Sequence, residues 1–424
     1  MFNLLNLQSL LGLAVIVGGC WAISENRKRF PWRLAIGAIL LQAALILATF
    51  AIPGSQVVLD AINNSVKGLE QATAKGTQFV FGYLAGGDQP YVVENQGALF
   101  TFAFNVLPLV IVISALSALL WHWRILKWLT LGFGFVFQRT MGLGGASALA
   151  VAANIFLGMV ETPLVIRAYL DKLSRSEIFL MMVVGLGTVA GSTMVAYATI
   201  LAPVLKNAAG HVLVASIVSA PATVLLARII IPEKPGEGGE KADYNSALKY
   251  DSAIDAIVKG TADGLMVVLN ISAVLITFVA FVALVNVILG NFWLGGEALS
   301  VERILGVLFA PIAWLTGVEW AEASKAGWLL GVKLTLTEFV AFIELGKIAP
   351  EAMSERTRML MTYALCGFAN IGSVGITVTG LSVLLPERRP EVLGLVWKAL
   401  LGGFLATLMT ACIVGALPSA LFGA

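Results

Sequence analysis

The sequence predicts an all-α polytopic membrane protein with about eight transmembrane helices, two re-entrant hairpins and interfacial amphipathic helices. Three observations predict it. First, the 424 residues are 58% hydrophobic and 12% charged, whereas a soluble protein carries about 25% charged residues. Second, eight apolar runs are long enough to cross a hydrocarbon core of about 30 Å. Third, two further apolar segments, one in each half of the chain, are short, interrupted, and hold a glutamate.

The spans lie at 6–24, 33–53, 99–121, 178–203, 211–232, 264–290, 357–385 and 393–417. The first begins at the N-terminus, which has no basic stretch and no A-x-A cleavage site, so it is expected to be retained as a span. Residues 55–85 place Asp60, Lys67, Glu70 and Lys75 among apolar positions, the pattern of an interfacial helix. Residues 124–140 and 300–316 read similarly. The interrupted segments are 144–171 and 323–348.

In the first interrupted segment, Gly158 and Pro163 flank Glu161 inside AANIFLGMVETPLVIRAYL (152–170). A carboxylate at bilayer depth costs roughly 2.5–3.5 kcal/mol on insertion scales, so such residues usually line a ligand or ion path. Each half of the stretch is about a dozen residues, roughly 18 Å of helix, too short to span. The expected form is two half-helices that enter and leave by one side, with the broken tip buried in protein or lining a cavity. The second segment carries Gly331, Lys333, Thr337 and Glu338. Such a pair in two halves points to a transporter site between inverted repeats.

Each hairpin precedes a glycine-rich span. MMVVGLGTVAGSTMVAYATI (181–200) places Thr188, Ser192 and Thr193 among Gly185, Gly187 and Gly191. YALCGFANIGSVGITVTG (363–380) places Asn370 and Ser373 among Gly367, Gly372 and Gly375. Small residues of this kind serve close helix packing. They also serve unwound helices whose carbonyls and hydroxyls hold a cation. Composition and spacing leave both readings open, as they leave open a purely structural pairing of the glutamates with Lys333 or Arg167. Glu161 and Glu338 accept hydrogen bonds when ionised, and Asn370 donates and accepts. These groups, with Phe368 available to stack, suit a neutral hydroxyl-rich ligand; a nucleoside, a sugar or an amino acid would fit.

Other classes find little support. The net charge is +2 with no basic tract, so nucleic acid is not an expected partner. Cys20, Cys366 and Cys412 are scattered, and His122 and His211 stand alone, so neither a metal site nor a catalytic constellation is expected. No enzyme activity and no bound cofactor are expected, and no repeated filter sequence suggests a channel. Basic residues concentrate in SENRKRFPWR (24–33), WHWRILK (121–127), DKLSR (171–175), the 228–249 loop and PERRP (386–390). Placing these loops in the cytoplasm puts both termini outside, for a multi-pass protein of the cell's inner membrane. The hydrophilic stretch 232–251 is then a cytoplasmic linker between halves.

The stretches FVFGYL (79–84), FNVLPLVIVISALSALLWHWRIL (104–126), AANIFLG (152–158), HVLVASIVSAPATVLLARIIIPE (211–233), GVKLTLTEFVAF (331–342) and CGFAN…S (366–373) run in order over nearly the whole chain, and in them the chain resembles the concentrative nucleoside transporter family. The resemblance implies eight spans, two re-entrant hairpins, a homotrimer in lipid, and a transport part moving against a scaffold. On that basis 1–53 holds the first two spans as scaffold. Residues 54–140 hold an interfacial helix, the third span and a second interfacial helix. Residues 141–232 carry the first hairpin and spans four and five of the transport part. Residues 233–262 are linker, 263–320 hold span six and an interfacial helix of the scaffold, and 321–424 hold the second hairpin and spans seven and eight.

The resemblance also implies roles. Glu338, Asn370 and Ser373 would bind ribose. Met159, Val160 and Glu161 stand where the family has Gln-Thr-Glu beside the base, and Thr193 stands at the family's small apolar base contact. A sodium ion, the coupling cation, would be held by Asn154, Leu157, Thr188 and Val189. Three departures stand out: Met159-Val160 for Gln-Thr, Thr337 for Asn in the NEFVA element, and Ser147 for Glu in GAES. The ribose pole is kept and the base pole is not, which predicts weak discrimination among bases or a nucleoside-like substrate. Proton coupling is the alternative to sodium.

Overall fold

The computed structural model describes residues 3–422 except 53, 93–100, 160, 235–248 and 295. Its helices are α1 (Leu4–Ala22), α2 (Trp32–Phe50), α3 (Ser55–Phe81), α4 (Phe102–Asn105), α5 (Leu107–His122) and α6 (Ile125–Met141). There follow α7 (Gly145–Asn154), α8 (Thr162–Val165), α9 (Arg175–Gly187), α10 (Gly191–Leu201), α11 (Ala208–Ile230) and α12 (Ala253–Leu289). The last six are α13 (Val301–Leu315), α14 (Trp320–Thr335), α15 (Glu338–Lys347), α16 (Glu355–Leu365), α17 (Ile371–Leu384) and α18 (Arg389–Ala416). A minimal antiparallel ribbon pairs Trp293 with Ala298 and Leu294 with Glu297.

Among the described residues, seven helical stretches are long and apolar enough to cross a membrane: α1, α2, α4–α5, α9–α10, α11, α12 and α18. Each coincides with an expected span. The remaining expected span is α16 and α17, parted by Cys366–Asn370. The α9–α10 span is likewise interrupted at Thr188–Ala190. The α13–α14 pair bends by 113° at Thr316–Glu319. The linker's residues 235–248 and the site residue Val160 lie outside the described residues.

The two interrupted segments differ more than the sequence suggests. α14 and α15 form two clear helical arms, with Thr337 capping α15 through a bond from the Val340 N–H to its hydroxyl at 3.2 Å. In the first segment only one arm is a true helix. α7 runs ten residues, all buried. The expected second half-helix is instead the single turn α8 followed by a 3₁₀ segment at Arg167–Lys172. Pro163 sits in the first turn of α8, where proline is tolerated, and the N-cap residue Glu161 gives that turn no side-chain cap.

The core sits around α9, α11 and α18. Most of the apolar stretch of α11 and α18 is buried, 89% and 83% respectively, whereas none of that of α12 is. α1 packs on α18 and α2 on α11, while α12 packs chiefly on α5. The α5–α12 contact is close because glycines remove side chains from it. A Cβ on Gly260 would lie 2.8 Å from the Ala115 Cα, and one on Gly264 would lie 2.8 Å from the Ile111 Cα. Interfaces of small residues are the usual route to such approach in membranes.

Candidate functional site

The interruptions in α9–α10 and α16–α17 cross each other. The Phe368 N–H donates to the Thr188 carbonyl at 3.2 Å. Glycines permit the crossing: a Cβ on Gly367 would lie 3.1 Å from the Gly187 carbonyl, and one on Gly403 of α18 would lie 2.8 Å from Leu186 Cβ. The small residues have two structural effects here. They pack helices closely, and they surround breaks whose backbone groups are partnered across elements.

The first hairpin meets this crossing from one side. The Gly191 N–H donates to the Phe156 carbonyl at 3.1 Å. Asn154, at the end of α7, donates through Nδ2 to Thr188 Oγ1 at 2.6 Å and to the Val184 carbonyl at 3.0 Å. Its Oδ1 accepts from the Thr162 hydroxyl at 3.0 Å. The Val189 carbonyl accepts from Ser216 at 3.2 Å. Asn154, Thr188, Val189 and Leu157 are all buried. Asn154 and Thr188 are thus hydrogen-bonded to each other, Val189 is the next residue after Thr188, and Leu157 is three residues beyond Asn154 in the same hairpin. An amide oxygen, a hydroxyl and carbonyls are hard ligands that suit a small cation.

At the hairpin tip, Glu161 folds back on its own turn. Its carboxylate accepts from the Gly158 N–H at 2.6 Å. A Cβ at position 158 would lie 2.6 Å from that oxygen, so glycine is needed for the carboxylate to sit there. Met159 abuts Gly185 of α9, whose Cβ would lie 2.9 Å from the Met159 Cβ. Thr377 of α17 donates to the Met159 sulfur at 3.6 Å. The polar pair expected in the family is thus replaced by a thioether wedged between α9 and α17.

The second hairpin supplies the opposite pole. Glu338 is the first residue of α15 and 5% exposed. The helix N-terminus favours its negative charge. Its two oxygens have separate donors: Tyr197 Oη at 2.8 Å and Asn370 Nδ2 at 2.7 Å. Asn370 is also the N-cap of α17, accepting from the Ser373 N–H at 2.8 Å. Glu338, Asn370 and Ser373 are therefore together, and all are buried. Thr193 lies one turn before Tyr197 on α10 and bonds the Ala190 carbonyl at 2.9 Å. Phe368 contributes its N–H to the crossing, with its side chain only partly buried.

Pairing of Glu338 with Lys333 is not what holds the glutamate. The fully buried Lys333 ammonium donates to the Ala364 carbonyl and to Thr407 Oγ1, both at 2.7 Å, and lies 5.4 Å from the centre of the Phe404 ring. Ser147, in place of a glutamate, donates to Glu177 at 2.8 Å. Sequence reasoning missed Tyr197, whose MVAYATI context reads as ordinary core; its partner lies 141 residues away.

Known proteins resemble this chain over nearly its whole length. Residues 11–84 and 211–415 match the "Na+ dependent nucleoside transporter" N-terminus and C-terminus families, and residues 103–204 match a "Nucleoside recognition" gate family. "Nucleoside permease NupC" of Helicobacter pylori is 36% identical over 417 residues, 97% of each chain. Human "Sodium/nucleoside cotransporter 1" is 32% identical over 97% of this chain and 64% of its own length. The solved structure of CNTnw in an inward-facing substrate-bound state is 35% identical, with a TM-score of 0.88 over 97% of this chain and 98% of that one. An outward-facing variant of CNTnw gives the same score at 34% identity, over 98% of each chain. With crossed helix breaks, two glutamate-bearing hairpins and these likenesses over nearly its whole length, the chain belongs to the Na+ dependent nucleoside transporter family.

Proposed function

We propose that this chain is a multi-pass inner-membrane protein that imports nucleosides by sodium-coupled alternating access. The observation that carries the reading is the crossing of the two helix breaks. It joins a carboxylate pole, Glu338 with Asn370 and Ser373, to a hard-oxygen pole, Asn154 with Thr188, through the Phe368–Thr188 bond. Sugar hydroxyls would bind at the first pole, and the coupling sodium at the second with help from the Leu157 and Val189 carbonyls. Glu161, Met159, Val160 and Thr193 would face the base, with Phe368 stacking on it. Nucleosides would cross unchanged, so no catalytic residue is assigned.

The base pole supports broad recognition. Met159 offers no N–H or carbonyl to a base edge, and a site that cannot hydrogen-bond a group discriminates weakly for it. A nucleoside-like compound with an altered base is the accompanying expectation.

Packing supports a division into a frame centred on α5 and α12 and a moving part holding both hairpins with α9–α11 and α16–α18. α1 and α2 pack on α18 and α11, which supports assigning 1–53 to the moving part instead of the frame. The unburied flank of α12 supports its lying at a lipid or subunit boundary, in keeping with a homotrimer. Both termini would face outward.

One sodium moving down 100 mV yields about 2.3 kcal/mol, and a tenfold gradient adds about 1.4 kcal/mol. Together they would support accumulation on the order of several hundredfold. The test is uptake of labelled uridine and adenosine into proteoliposomes, with sodium or with choline at fixed pH. Accumulation should require sodium. Uptake that persists in choline and follows the pH gradient would assign coupling to a proton and a glutamate. Equilibration without accumulation would point to a channel.

A further inference from the structure

The carboxylate of Glu338 hangs on a terminal torsion that is broad and roughly two-fold, so it turns easily unless both oxygens are held. Asn370 holds one, and the Tyr197 phenol holds the other. The phenol itself is fixed unusually well. Tyr197 has no solvent exposure, stacks on Phe342 with ring centres 4.3 Å apart and planes 14° from parallel, and meets Phe339 edge-on at 5.3 Å. Phe342 lies four residues after Glu338 on α15, so the two share one helix face. The Tyr197 ring lies along that face, on Phe342 at one end with its hydroxyl on Glu338 at the other. One short helix thus supplies both the stacking surface and the acceptor, and α10 supplies the ring between them.

We propose that Tyr197 is a positioning residue for sugar recognition: its phenol locks the Glu338 carboxylate so that the remaining acceptor sites of both oxygens are presented together to two vicinal hydroxyls. A carboxylate has about four acceptor sites, and the protein donors take one on each oxygen. One site on each oxygen remains, which matches the paired O–H donors of a cis-diol. The residue acts through Glu338 and makes the site selective for the hydroxyl pattern of the sugar, whatever base is attached. The inference rests on the nucleoside reading of the Glu338 pole.

Tyr197→Phe keeps the ring stack and deletes the donor. The experiment uses the full chain in proteoliposomes and measures inhibition of labelled uridine uptake by uridine, adenosine and their 2′,3′-dideoxy counterparts. The wild type should prefer the ribonucleosides. In Tyr197→Phe, ribonucleoside affinity should fall by about tenfold, the size of a lost hydrogen bond to a charged group. Dideoxynucleoside affinity should stay within about twofold, because that ligand never used the diol contacts. A global packing defect would weaken both alike. A ribo-to-dideoxy ratio unchanged by Tyr197→Phe overturns the positioning role while leaving the pole intact. A wild type without ribonucleoside preference overturns the sugar reading of Glu338 itself. If Tyr197→Phe does not fold, Phe342→Leu decides, since it keeps the hydroxyl and frees the ring. The ratio should then fall by about threefold, and an unchanged ratio overturns the proposal.

Discussion

Asn370 joins two elements through one side chain. Asn370 caps α17 with its Oδ1 and contacts Glu338 with its Nδ2. Loss of a cap costs about 0.5–2 kcal/mol, so Asn370→Ala mixes two defects. Asn370→Ser retains a capping oxygen and removes the amide donor. It should elute and melt like the wild type yet lose uptake, as should Glu338→Gln; wild-type uptake in either variant would remove that residue from the site. At the other pole, Gly158→Ala should push the Glu161 carboxylate off the Gly158 N–H. Its apparent nucleoside affinity should drop by about tenfold in the uptake assay, the size of a displaced charge-assisted bond. Restoring polar groups with Met159→Gln should tighten binding of ordinary nucleosides; unchanged affinity would place the base away from the tip. The glutamates, Asn370 and the glycines were legible because each is unusual in an apolar run. Tyr197 was not, because an aromatic residue in a membrane helix announces no partner.

At the scale of elements, helix breaks are held by crossings and ends are held by charge. Gly187 marks the first break, and a Cβ there would strike the Thr223 methyl of α11. Gly187→Ala should therefore lower the melting temperature, and Thr223→Ser, which removes that methyl, should recover a good part of the loss in the double variant. Additive losses would mean that the two residues are not the point of contact. The α1–α2 loop is tied by Glu25, which accepts from Arg175 at 2.6 and 3.1 Å and from Lys398 of α18 at 2.9 Å. The Arg175 hydrogen bond foremost holds the Glu25 carboxyl below its ordinary value, against partial burial and with help from Lys398. A depressed carboxylate stabilises the fold above its unfolded pKa, and that contribution is lost as pH falls through the folded value. Wild-type protein in detergent should thus lose stability on acidification below the ordinary carboxylate range. Glu25→Gln should be less stable at neutral pH with a flatter acid limb; identical pH profiles would show that the cluster contributes nothing. The size should be modest, since Glu25 is 33% exposed. The one-turn second arm of the first hairpin belongs to this scale too. Apolarity and length suggested a helix there, but only one α-helical turn forms before the chain winds into a 3₁₀ segment.

At the scale of the whole molecule, alternating access requires a boundary that slides. In the proposed division, Phe102 of α4 belongs to the frame side and Phe339 of α15 to the moving side, and their rings meet edge-on at 5.6 Å. A short thiol cross-linker between Phe102→Cys and Phe339→Cys should stop uptake, and its cleavage should restore it. Continued uptake in the linked protein would refute sliding at this boundary. The native cysteines are buried and should not interfere. By itself, the sequence determined the membrane class, the eight spans and the two glutamate-bearing interruptions. Those properties are local: hydrophobic length, charge in an apolar run, and glycine at a break each carry their cost within a short window. The tertiary structure alone decided that the two breaks cross, that Tyr197 and Asn370 share Glu338 between its oxygens, that Lys333 serves a carbonyl and Thr407 instead, and that α1 and α2 pack on α18 and α11. Those contacts join residues far apart in the chain, and choosing among several equally apolar helix faces depends on shape complementarity that no single window of sequence contains.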